Sequence, residues 1–156
     1  MVTFPHAARR HALAWAWLIA AGCTTVRLVS DYDETTDRDV SALQKLVDDS
    51  LTALARQSAP ACLFAAHRQF YTAVHSALNA LAMRNRARGA GNAATTDQIA
   101  VLDTVEFAAL EHLHRLAGAR TPAVCMDSVG LALDRQAIDQ SFEAILRLEL
   151  AKKRGG

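Results

Sequence analysis

Apolar residues recur at three- and four-residue intervals along four stretches of the chain, each flanked by polar residues and turn formers. Val40, Leu43, Val47, Leu51 and Leu54 form the first stripe, and this spacing predicts an amphipathic helix. Thr36 and Asp39 have the spacing of an amino-terminal cap, and Ser58, Ala59 and Pro60 end the segment. The second helix is expected from about Pro60 to Arg88, with Leu63, Ala66, Phe70, Val74, Ala77 and Leu81 facing inward. GAGN, residues 89 to 92, is a turn.

Thr95 and Gln98 have capping-box spacing at the start of a third helix. Its expected stripe is Leu102, Val105, Ala109, Leu113 and Leu116, and Gly118 closes it. The fourth helix runs from Asp127 or Ser128 to about Lys153, with Leu131, Ile138, Phe142 and Ile145 buried. Glu143 with Arg147 and Glu149 with Lys153 are favourable pairs four apart. Four amphipathic helices joined by short connections predict an all-α, antiparallel up-down four-helix bundle over residues 35–156.

The amino end follows a different pattern. Arg9 and Arg10 precede HALAWAWLIAAG, residues 11 to 22, which is apolar but shorter than the roughly 20 residues a spanning helix needs. A basic segment, an apolar run and small residues in that order describe a secretory signal. Ala20, Ala21 and Gly22 lead into Cys23, an arrangement that resembles the lipobox of bacterial lipoproteins. It departs from that pattern at Ala20, where leucine is usual. The resemblance implies a signal peptide over residues 1–22, lipid on Cys23, and a tether over residues 23–34. Multiple acyl chains anchor a protein stably where one does not. By the same resemblance, to enterobacterial lipoproteins, Thr24 in place of aspartate implies the outer membrane. A soluble secreted chain beginning at Cys23 is the alternative reading.

Removing residues 1–22 takes the formal charge from +1 to −1, and no clustered basic face suggests nucleic acid. The three cysteines become informative in an oxidising compartment. With Cys23 acylated, Cys62 and Cys125 remain as a pair. In an up-down bundle the starts of the second and fourth helices share one end, which brings these two thiols together as a disulfide. Two unpaired apolar cysteines are the other reading.

VRLVSDYDETTDRDVSALQKLVDDSL and EAILRLELAKKR resemble segments of a group of small proteobacterial lipoproteins. The resemblance implies a helical bundle facing the periplasm and no particular activity. Tyr32, Asp33 and Glu34 form either a docking strip for an envelope partner or a solvated leader to the first helix.

Candidate chemistry is sparse. Glu111 and His114 form one Glu-x-x-His pair, but the second pair of a di-iron bundle is missing. His112 and His114 point about 200° apart on a helix and cannot share an ion. His67 and His112 fall at similar depth with Asp48 or Asp49 nearby, so they are the metal candidates against an ordinary packing role. No nucleophile elbow, phosphate loop or dinucleotide fingerprint occurs. Glu106 and Glu149 read as boundary carboxylates paired with arginines. No cofactor is expected. The chain reads as a non-enzymatic envelope interaction or assembly protein, with a metal- or small-ligand-binding bundle as the alternative.

Overall fold

The computed structural model describes residues 31–155. The expected signal segment and Cys23 lie outside the described residues. Helix α1 spans Glu34–Leu54, and α2 spans Phe64–Ala87. After a short 3-10 turn at Ala90–Asn92, α3 occupies residues 93–118. Helix α4 spans Ser128–Gly155. Among the described residues there are no strands, and the helices form an all-α four-helix bundle. Each helix packs on its chain neighbour, and α1 also packs on α4, which closes the ring.

The first helix follows its sequence pattern throughout. Val40, Leu43, Val47, Leu51 and Leu54 are all buried. Its cap differs from the Thr36–Asp39 expectation: Asp33 is the capping residue and accepts from the Thr35 amide at 3.2 Å. Helix α2 starts later than Pro60, because residues 58–63 form a separate turn. Its inward face is centred on Tyr71, Val74, Leu78 and Leu81, while Ala66 is exposed. Gly89 follows α2 with φ of 94°, a conformation that a residue bearing Cβ rarely adopts. The Thr95–Gln98 capping box does not form either, since α3 begins at Ala93 behind the 3-10 turn.

Helix α3 departs most from the expected pattern. It consists of α-helical Ala93–Val101, a π-helical turn at Leu102–Phe107, and α-helical Ala108–Gly118. The buried residues run Ile99, Leu102, Phe107, Leu110, His114 and Ala117. Five α-helical residues turn through roughly 500°, which would place Phe107 about 140° away from Leu102. The wider π turn absorbs one residue and brings Phe107 back towards the core. The expected stripe beyond Leu102 is therefore turned outward: Val105 is 59%, Leu113 46% and Leu116 51% exposed. Sequence periodicity selects the wrong face here because it assumes a uniform helical period.

Two end groups fix the bundle. At one end, Cys62 and Cys125 form a disulfide with Cα atoms 5.4 Å apart. Closing a loop with a separation of 63 residues stabilises by about 4 kcal/mol in the chain-entropy description. At the other end, Asp33 joins α1 to the end of α2. It accepts from Arg84 at 2.7 and 3.2 Å and from the Thr36 hydroxyl at 2.8 Å.

The π turn behaves as a one-residue insertion, and this can be tested by deletion. Removing exposed Thr104 should leave a regular α3 with Leu110 and His114 still buried, and Tm within a few degrees of wild type. Removing exposed Ala80 from α2 should rotate Leu81 and Ala82 away from the core and destabilise by about 3 kcal/mol or more. Thermal unfolding of the two deletions distinguishes them. Equal losses would refute the insertion reading.

Candidate functional site

The rotated half of α3 brings polar side chains against α2 that sequence spacing does not associate. On the inner side, His114 is fully buried. Its Nε2–H donates to the Cys62 carbonyl at 2.8 Å, which leaves Nδ1 to accept from the Tyr71 hydroxyl at 2.8 Å. This bonding describes a neutral imidazole. Burial lowers the His114 pKa, and the Cys62 carbonyl opposes that shift only in part. Burial likewise pushes the Tyr71 hydroxyl well above its usual range. The rings of Phe64 and His67 complete the surround, at 5.8 and 5.5 Å from the His114 ring. His114 is a structural link between α3 and the disulfide end of the bundle.

Nearer the surface, His75 of α2 lies between two carboxylates of α3. Nδ1 donates to Asp103 at 2.5 Å and Nε2 to Glu111 at 3.0 Å. Two carboxylate acceptors are both satisfied only when both ring nitrogens carry protons, so this arrangement favours the imidazolium. Burial opposes the charge, but the two carboxylates outweigh it and raise the His75 pKa. Arg115 donates to the other oxygen of Glu111 at 2.5 Å. Asp103 belongs to the π turn itself, so the bridge ties the bulge to α2. With a carboxylate at each nitrogen, His75 is a clasp between α2 and α3.

A third polar group lies between α3 and α4 at the Asp33 end. Lys152 is 5% and Glu149 0% exposed. Lys152 donates to Asn92 at 2.6 Å, to Thr95 at 2.9 Å and to Glu149 at 2.5 Å. Thr95 also donates to Glu149 at 3.0 Å. Its hydroxyl thus serves an inter-helix lock, which replaces its expected capping role. Glu149 pairs with Lys152, not with Lys153 or an arginine. Glu106 accepts from Ser141 at 2.8 Å and likewise has no arginine partner among the described residues.

The metal candidates are not brought together. His67 donates from Nε2 to Gln57 and Ala61 in the turn before α2, at 2.9 and 2.8 Å. His112 is exposed. Asp48 forms an ion pair with Arg135 of α4, and Asp49 pairs with Lys45. Among the described residues no three His, Cys, Asp or Glu side chains are grouped to hold a metal. Asp33 of the candidate docking strip is 6% exposed and engaged by Arg84, which lowers its pKa well below the carboxylate range. Tyr32 donates to Asp37 at 2.6 Å, and this bond pushes its pKa up to about 12. Lys153 lies 5.0 Å from the centre of the Tyr32 ring. Glu34 alone of the three is exposed to solvent.

Sequence reasoning missed Tyr71, His75, Asp103 and His114 as partners. The available signal was a second apolar series, Phe107, Leu110 and Ala117, in phase with His114 and one residue out of phase with Leu113 and Leu116. That series is recognisable only if a helix is allowed an inserted residue.

The surface next to these groups is more open to a ligand than the groups themselves. A groove of about 300 Å³ lies between the ends of α3 and α4 beside the disulfide. Leu113, Leu116, Met126 and Leu131 give it apolar walls, and Asp134 and Arg120 also line it. Asp134 Oδ2 is sealed from solvent and meets no hydrogen-bond donor. Burial raises the pKa of this carboxyl.

Breaking the buried ion pair by Lys152→Met should destabilise the fold by about 3–5 kcal/mol, because Glu149 is left as a buried charge without a cation beside it. Adding Glu149→Leu should recover most of the loss, as chemical denaturation would show.

The clasp has a signed pH dependence. The raised folded pKa of His75 means that its contribution is complete below the ordinary pKa of 6.5 and is lost as pH rises through the folded value. Denaturation at a series of pH values should therefore show His75→Gln most destabilising, relative to wild type, below pH 6.5. A gap that widened above that pH would contradict the clasp.

No known protein family, curated protein or solved structure matches this chain, so the functional reading rests on the geometry above.

Proposed function

We propose that the protein is an exported, lipid-anchored helical bundle that acts by binding another envelope component and performs no catalysis. The observation that carries this reading is the outward apolar face of α3. The chain buries His114 and leaves Leu113 and Leu116 beside an open groove, where a uniform helix would bury the leucines. Contiguous exposed apolar surface of this kind marks interaction sites in folded proteins. The polar groups nearby are engaged in structural bonds: His75 with two carboxylates, and His114 with Tyr71 and a backbone carbonyl. None is left poised beside a nucleophile.

The disulfide suits the oxidising side of a membrane. No described helix is long and apolar enough to cross a bilayer, so attachment requires a separate anchor such as acylated Cys23. Asp31 lies eight residue steps beyond Cys23, a reach of at most about 29 Å when fully extended. The start of α1 is then the membrane-proximal end, and the disulfide and groove lie at the distal end. The 28 residues of α4 extend about 42 Å, enough to hold the groove well away from the surface.

The anchor is tested by Cys23→Ser. The substitution is expected to abolish incorporation of labelled palmitate and to release the chain from the membrane fraction. Unchanged labelling and fractionation would exclude acylation at this residue.

A further inference from the structure

We infer that the groove between α3 and α4 seats an amphipathic helix of a partner protein, with an apolar side chain between Leu113, Leu116 and Met126 and a lysine or arginine facing Asp134. The inference rests on the interaction reading above and specifies the chemistry of the partner.

Three observations favour a cationic, apolar helix. The walls are apolar and partly exposed, with Leu113 and Leu116 one turn apart on α3. Gly130 lines the groove on α4, and a Cβ placed there would approach only Asp127 Oδ2, at 3.6 Å. The missing side chain lets another backbone come close to α4 at this point. The third observation is charge. Asp134 borders the groove with one carboxylate oxygen sealed from solvent and without a donor. A partner cation would offset that desolvation, whereas a partner carboxylate would meet a second negative charge in the same shielded place. Arg120 lines the same groove and suits an acid elsewhere on the partner helix. Gly130 and Asp134 are separated by one helical turn, about 6 Å, so residues one turn apart on the partner reach both.

Site-specific photo-crosslinking in the native host, using the full-length chain, tests the proposal. Benzoylphenylalanine at position 116 is expected to give an adduct that the same group at Ala80 does not give. The crosslinked partner peptide should carry a lysine or arginine within about one turn of an apolar residue. Asp134→Lys should reduce the adduct about tenfold and Asp134→Asn at least threefold, while Asp97→Lys leaves it unchanged. Equal Tm values for these variants would establish that folding is intact, and the Asn variant remains decisive if the Lys variant unfolds. No adduct at position 116 would overturn both the groove and the interaction reading. An adduct with a second copy of this chain or with lipid, or one indifferent to Asp134→Asn, would overturn the cationic-helix proposal alone.

Discussion

Leu102 and Phe107 must both face the core of α3, and they are five residues apart. An α-helix cannot satisfy that spacing on one face, so the chain widens into a π turn between them. Much of the surface of this half of the bundle follows from that accommodation. It moves Leu110, His114 and Ala117 inward and Val105, Leu113 and Leu116 outward. The polar consequences are as large as the apolar ones. His114 reaches Tyr71 and the Cys62 carbonyl, while Asp103 and Glu111 come to opposite nitrogens of His75. A buried polar group must keep its hydrogen bonds to be tolerated, and both nitrogens of His114 have partners.

The two ends of the bundle are fastened by unlike means. The disulfide fixes the starts of α2 and α4 covalently, largely by limiting the unfolded chain. The opposite end relies on desolvated charge. Asp33 is gripped by Arg84, and Lys152 is enclosed by Glu149, Thr95 and Asn92. Such a buried pair contributes modest net stability but punishes misassembly, since either charge left alone is expensive. Thr95 and Glu149 therefore help to fix how α3 and α4 align, in a bundle whose apolar stripes alone would tolerate sliding.

The sequence made the all-α class and the inward face of α1 legible, because both depend on a regular period. The stripe Val40, Leu43, Val47, Leu51 and Leu54 is buried throughout, since nothing interrupts that helix. Helix α2 was legible only in part: Val74 and Leu81 are buried, but Tyr71 and Leu78 define the face that Phe70 and Ala77 border. In α3 the period changes within the helix, and every inward-facing residue expected beyond Leu102 inherits the error, although the helix ends at Gly118 as expected. Lys152 lies near the end of α4, where a lysine suits the helix dipole whether it is buried or not, so the sequence does not reveal its burial. Its burial depends on Asn92 and Thr95, which are distant in sequence and whose local signals read as turn and cap.

The groove and the π turn are best understood as one feature. A chain whose inward residues kept one α-helical phase beyond Leu102 would have had a regular helix with Leu113 and Leu116 facing the core. This chain retains instead a wider turn and a buried imidazole that needs two hydrogen bonds, with two leucines beside an open groove. Local departures from the most stable arrangement concentrate at functional sites, because selection tolerates them only where they serve something else. Here the departure exposes apolar side chains at the disulfide end, opposite the end at which the chain enters the bundle. The same deviation therefore explains the polar links from α3 to α2 and turns the apolar face of α3 outward beside the groove.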